Sequence, residues 1–69
     1  MASDIHEIAG VFRDLTQARL AVNAARKRGW QASDPVQDDA GAHVSLRGSA
    51  DQAKQLLLEY GAYSATTVS

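Results

Sequence analysis

The chain contains no cysteine, which excludes disulfides, thiolate metal sites and thiol catalysis. That absence is neutral about compartment, although small secreted domains commonly rely on disulfide staples. An excess of charge of either sign is also missing: seven Lys and Arg stand against eight Asp and Glu, a formal net charge of −1. Such a balance provides no overall attraction to nucleic acid or to an anionic membrane. No apolar run approaches the roughly 20 residues of a membrane span. The opening Met-Ala-Ser-Asp-Ile-His-Glu has no basic start followed by an apolar stretch, so no signal peptide is read and a cytoplasmic location is expected. With 69 residues there is room for one domain, burying about 60% of its unfolded surface, and none for a deep cleft between lobes.

What is present divides cleanly. Residues 1–4 are read as a flexible N-terminus and 5–69 as the domain. Ile5 to Phe12 is β-compatible, with Ile8, Gly10 and Phe12 on one parity and Glu7, Ala9 and Val11 on the other. Asp14 is a candidate N-cap with Gln17 closing a capping box. Leu15, Ala18, Val22 and Ala25 then recur at the helical period. Arg26, Lys27 and Arg28 suit the negative end of the helix dipole, and Gly29 stops the helix. Trp30 to Val36 reads as a second strand, placed at an edge because Pro35 cannot donate to a ladder. Asp38-Asp39-Ala40-Gly41 has turn chemistry. Ala42, Val44 and Leu46 alternate with His43, Ser45 and Arg47, a strand with one buried face. Gly48 and Ser49 break it, Ser49 and Gln52 form a second capping box, and Ala53, Leu56, Leu57 and Tyr60 line a second helix that Gly61 ends. Tyr63 to Val68 is the last strand.

The two halves echo one another: strand, capped helix, Gly stop, strand. Interleaved, they predict an α+β domain of ferredoxin-like βαββαβ order, a four-stranded antiparallel sheet (order 4-1-3-2) with two helices on one face. Antiparallel central strands then set Glu7 near Arg47, Ala9 near Ser45 and Val11 near His43 on the face away from the helices. That open face is small, mixed and mildly apolar. It reads as a solvated face with one cross-strand ion pair, as a homodimer interface formed sheet to sheet or through an edge strand, or as a ligand platform.

Catalytic and metal constellations are sparse. His6 and His43, the only histidines, fall on opposite sheet faces, whereas a bound metal needs convergent ligands. Asp38 and Asp39 are turn residues. Arg13 and Arg47 each leave a strand just before a helix N-terminus, where an anion can bind, but antiparallel strands send them to opposite ends of the sheet. The strand positions where a ferredoxin-like RNA-binding module stacks bases on aromatics hold Ala9, Val11, His43 and Ser45. Gly10 and Gly48 are isolated, so no phosphate loop is formed. Trp30 and Tyr63 occupy matched places after the two helix stops, suited to core packing or, partly exposed on edge strands, to anchoring a partner.

The run Ile8-Ala9-Gly10-Val11-Phe12-Arg13-Asp14, then Gln17-Ala18 and Arg28-Gly29-Trp30, resembles the start of small bacterial general-stress-protein domains. His43-Val44-Ser45-Leu46 and Leu56-Leu57-Leu58-Glu59-Tyr60-Gly61-Ala62 are similar to their second half. That resemblance implies a stress-response setting and no agreed activity. The Gly-x-Phe start and Ala-containing helix also resemble the sporulation-related (SPOR) domain, which implies binding of peptidoglycan glycan strands on the sheet; here the third strand ends Leu46-Arg47-Gly48 without a second Gly-Pro-Phe-like motif. The expectation is a non-enzymatic interaction or regulatory module, a homodimer or the binder of a protein partner, with no cofactor, metal, nucleic acid or membrane. Trp30, Tyr63, Val11, His43, Ser45 and Arg47 are the candidate contact residues. A glycan- or small-ligand-binding domain is the alternative, and an enzyme is disfavoured because no nucleophile, base and orienting group converge.

Overall fold

Each half of the chain folds as a strand that feeds a helix and returns as a strand. The computed structural model describes residues 5–68; the expected flexible N-terminus, residues 1–4, lies outside the described residues. The elements are β1 (Ile5–Phe12), α1 (Leu15–Lys27), β2 (Gln31–Ala32), β3 (Val36–Asp38), β4 (Gly41–Ser49), α2 (Ala50–Glu59) and β5 (Ser64–Thr67). They form a small α+β structure, two helices and an antiparallel sheet of five strands, with β2, β4, β1 and β5 side by side and β3 also paired to β4. No helix among the described residues is long and apolar enough to cross a membrane.

The expected four strands become five because the stretch from Trp30 to Val36 is not one strand. Ala32 opposes Leu46 while Val36 opposes His43, so the edge carries one residue more than β4 between those pairs. This is a β-bulge, and Pro35, which has no N–H to give to a ladder, lies in it. Around it the backbone is held by side chains. Ser33 N–H donates to the Ser45 carbonyl at 2.9 Å, and Ser33 Oγ accepts the Ser45 N–H at 3.0 Å. Arg26 Nη2 reaches down from α1 to the Ala32 carbonyl and to Asp34 Oδ1, each at 3.0 Å.

Both helices end in Schellman motifs. Trp30 N–H bonds the Ala25 carbonyl and Gly29 N–H that of Arg26; Ala62 N–H and Gly61 N–H do the same to Leu57 and Leu58. Gly29 and Gly61 take the positive φ these turns require, +86° and +96°. The N-termini depart from the expected capping boxes. Asp14 caps α1 through the Thr16 N–H at 2.9 Å, while the Gln17 side chain lies against Gly61. Ser49 makes no side-chain cap bond, because β4 does not break at Gly48: it runs through Ser49, which pairs with Ile5, directly into α2.

One sheet face is covered. Ile8, Phe12, Ala42, Val44 and Leu46 meet Ala18, Ala21, Val22 and Ala25 of α1 and Ala53, Leu56 and Leu57 of α2, all buried. α1 lies over β4 and β2, and α2 over β1, β4 and β5. The parity read from the sequence therefore holds for both central strands. Small residues bring the helices close: a methyl on Gly10 would stand 2.9 Å from Leu57 Cδ1, and one on Gly48 3.2 Å from the Trp30 ring.

Candidate functional site

The uncovered face is built by strand pairing alone. Side chains of directly paired residues point the same way, so the registers order the face into rows. Gln31 pairs with Arg47 and Arg47 with Glu7, whose carbonyl accepts the Val68 N–H. The next row is Ser33, Ser45, Ala9 and Thr66. The third is Val36, His43, Val11 and Ser64. Glu7 opposite Arg47, Ala9 opposite Ser45 and Val11 opposite His43 are the pairings expected from the sequence. The outer row carries opposite charges, the middle row only small side chains, and the third row pairs two valines with His43 and Ser64. Large apolar side chains stand at its margins: Ile5, Val36 and Val68 are 62%, 64% and 58% exposed. Among the described residues no Phe, Trp or Tyr stands on this face.

Glu7 and Arg47 share a row, but they do not form the expected ion pair. Among the described residues the ion pairs are Arg26–Asp34, which clamps the bulge, and Asp38–His43. Asp38 closes the β3–β4 hairpin: its Oδ1 accepts the Ala40 N–H at 2.8 Å and lies 3.0 Å from His43 Nε2. Bonding to the Ala40 amide first, and then to His43, holds the Asp38 carboxyl below the usual aspartate value of 3.8. A histidine held by a carboxylate is half of a nucleophilic constellation, yet no hydroxyl among the described residues is hydrogen-bonded to His43.

Four of the six candidate contact residues, Val11, His43, Ser45 and Arg47, come together on this face. The other two do not join them. Trp30 packs against the covered core and over Gly48, with the Arg28 guanidinium 5.6 Å from its ring centre. Tyr63 lies at the opposite end of the sheet, where its hydroxyl donates to the Ala40 carbonyl and ties the start of β5 to the β3–β4 turn. They are separate features, not one aromatic pair. Arg13 and Arg47 are likewise apart, since Arg47 faces Glu7 near the start of β1 and Arg13 follows its last residue. No group of three or more His, Asp or Glu among the described residues converges as metal ligands do.

Beside the expected Glu7, the face is completed by Gln31, Ser33, Val36, Ser64 and Thr66, which the sequence reading does not single out. Parity alone places Glu7 on the central strand β1. On the β2/β3 edge the positions depend on the bulge, which shifts parity by one residue between Ser33 and Val36. Comparison with protein families, with curated proteins and with solved structures finds no match.

Proposed function

We propose that the chain is a non-enzymatic protein-interaction module of ferredoxin-like architecture, in which the open sheet face receives a protein partner. The supporting observation is the composition of that face. A middle row of Ser33, Ser45, Ala9 and Thr66 lets a partner approach closely, and exposed Ile5, Val36 and Val68 supply apolar area at its margins. A protein surface, which brings its own apolar and polar groups, fits this mixture. A glycan strand fits it poorly, because sugars stack on aromatic rings and none stands there. Chemistry is disfavoured because no hydroxyl among the described residues is hydrogen-bonded to His43 of the Asp38–His43 pair. The cellular role in this reading is regulatory: the chain changes the behaviour of whatever it binds, and a stress-response setting remains the one implied by resemblance.

Site-specific photo-crosslinking in the producing cell tests the reading. A benzophenone side chain at Ser45, on the face, is compared with one at Gln55, exposed on α2. Protein adducts from position 45 and none from position 55 are the expected result. Absence of adducts at 45, with the variant folded and abundant, would sink it.

A further inference from the structure

We infer that the occupant of the open face is a second copy of this chain, docked with its two-fold axis parallel to the strands and between β1 and β4. This rests on the reading of the open face as the working surface, and it names the partner. A symmetric dimer uses one patch twice, so the patch must complement itself. Rotation about such an axis exchanges the β4 column with the β1 column and leaves each row in place. Arg47 of one copy then meets Glu7 of the other, and Glu7 meets Arg47, giving two equivalent ion pairs from residues that make none in the monomer. Ser45 falls over Ala9, His43 over Val11, and the outer columns set Gln31 against Val68 and Val36 against Ser64. No like charges oppose.

The alternative face-to-face axis, running across the strands, keeps each column and reverses the rows. It places Arg47 over His43, a ring already paired with the Asp38 carboxylate, and Glu7 over Val11, so that Glu7 faces aliphatic carbon and gains no opposite charge. Charge complementarity therefore selects the first arrangement. It also suits the aligned packing of twisted sheets, whose strands lie within about 30° of each other. Four strands by the length of residues 5–11 make a footprint of roughly 19 by 20 Å, about 760 Å² over the two copies, which is below the roughly 1,000 Å² of a stable interface and marks a weak, transient dimer. The dimer is accordingly concentration-dependent.

Sedimentation velocity of the full chain from about 10 μM to about 1 mM, the range in which a small interface associates, measures it. Wild type is expected to dimerise. Glu7→Arg or Arg47→Glu alone puts like charges together at both symmetric positions and should weaken the dimer at least about tenfold. The double swap restores opposite charges and should recover it. Circular dichroism shows whether each variant is folded. Isotope-filtered NOEs between copies, from Ala9 to Ser45 and from Val11 to His43, provide a readout that needs no variant. A chain that stays monomeric at the highest concentration overturns the inference. So does a dimer indifferent to both swaps and to Ala9→Arg, because that dimer forms through a surface other than the open face. If position 45 still crosslinks to a different protein in the cell, the module reading survives without the homodimer; if it crosslinks to nothing, both fall.

Discussion

Gly10 lies midway along β1 with α2 above it, and an alanine there tests how closely the helix is docked. A methyl at this position stands 2.9 Å from Leu57 Cδ1 and 3.0 Å from Cδ2, whereas carbon atoms prefer about 3.5–4.0 Å. The backbone at Gly10 is not in the positive-φ region, so strain plays no part and the cost is contact alone. Overpacking of a filled core costs about 1–3 kcal/mol, offset by about 0.5–1 kcal/mol because alanine loses less freedom than glycine in a strand. A net loss of up to about 2.5 kcal/mol follows. Leu57 is fully buried, and Leu57→Ala by itself should cost about 2–5 kcal/mol. In the double variant the methyl at position 10 enters space that the leucine vacated. The combined loss should therefore fall short of the sum by about 1 kcal/mol or more, well beyond the roughly 0.3–0.5 kcal/mol within which independent sites add. Urea unfolding followed by the fluorescence of Trp30, the single tryptophan, yields all four corners of the cycle. Additivity, or a stabilised Gly10→Ala, would refute the close docking of α2 on β1.

Glycine positions separate strain from space: Gly29→Ala, at φ +86° with nothing near the new methyl, should cost about 1–2 kcal/mol. Gly41→Ala, at φ +135° with the Phe12 carbonyl in the way, should cost clearly more, about 3 kcal/mol or above; thermal melts rank them, and equal losses would contradict this. Tyr63→Phe removes the hydroxyl bond to the Ala40 carbonyl and should cost about 0.5–1.5 kcal/mol, with faster amide exchange at residues 38–41. Asp38, lowered from 3.8 by the Ala40 amide and then by His43, contributes stability that is present above its unfolded value and lost as pH falls through the depressed folded value. Carboxyl NMR should place its midpoint below 3.8 and, because the amide is the larger cause, still below it in His43→Ala. Arg26→Ala frees the bulge, so amide exchange should rise across residues 31–38 while β1 stays protected.

The central strands were legible because period two is strict: once Ala42, Val44 and Leu46 are inside, His43, Ser45 and Arg47 are outside. Antiparallel pairing then fixes Glu7 beside Arg47. The helix stops were legible because each Gly is required to be left-handed. The edge was not. Pro35 announces that a ladder fails, but not that one extra residue is accommodated, since the ties from Arg26 and Ser33 are tertiary. By sequence Gly48 marks a break, because glycine weakens strands; in the structure its missing side chain makes room for Trp30, and β4 continues. Ser49 then has ladder geometry, φ −62° and ψ 128°, but leaves its hydroxyl unused as a cap.

The two edges of the sheet are unlike, and the difference bears on which surface associates. The β2/β3 edge is broken by the bulge, carries Pro35 and is pinned by Arg26–Asp34; natural sheets blunt exposed edges by such means. The β5 edge, Ser64–Thr67, has neither charge nor proline, so it lacks that protection. Its defence is length. Four residues offer an added strand only a couple of outward-facing backbone pairs, too little to hold a complex unaided. The open face spans the strands and presents Glu7 and Arg47, charges that an edge pairing leaves unsatisfied. Association through the face therefore weakens as salt screens those charges, whereas association through β5, carried by uncharged backbone groups, does not. Ionic strength alone separates the two routes.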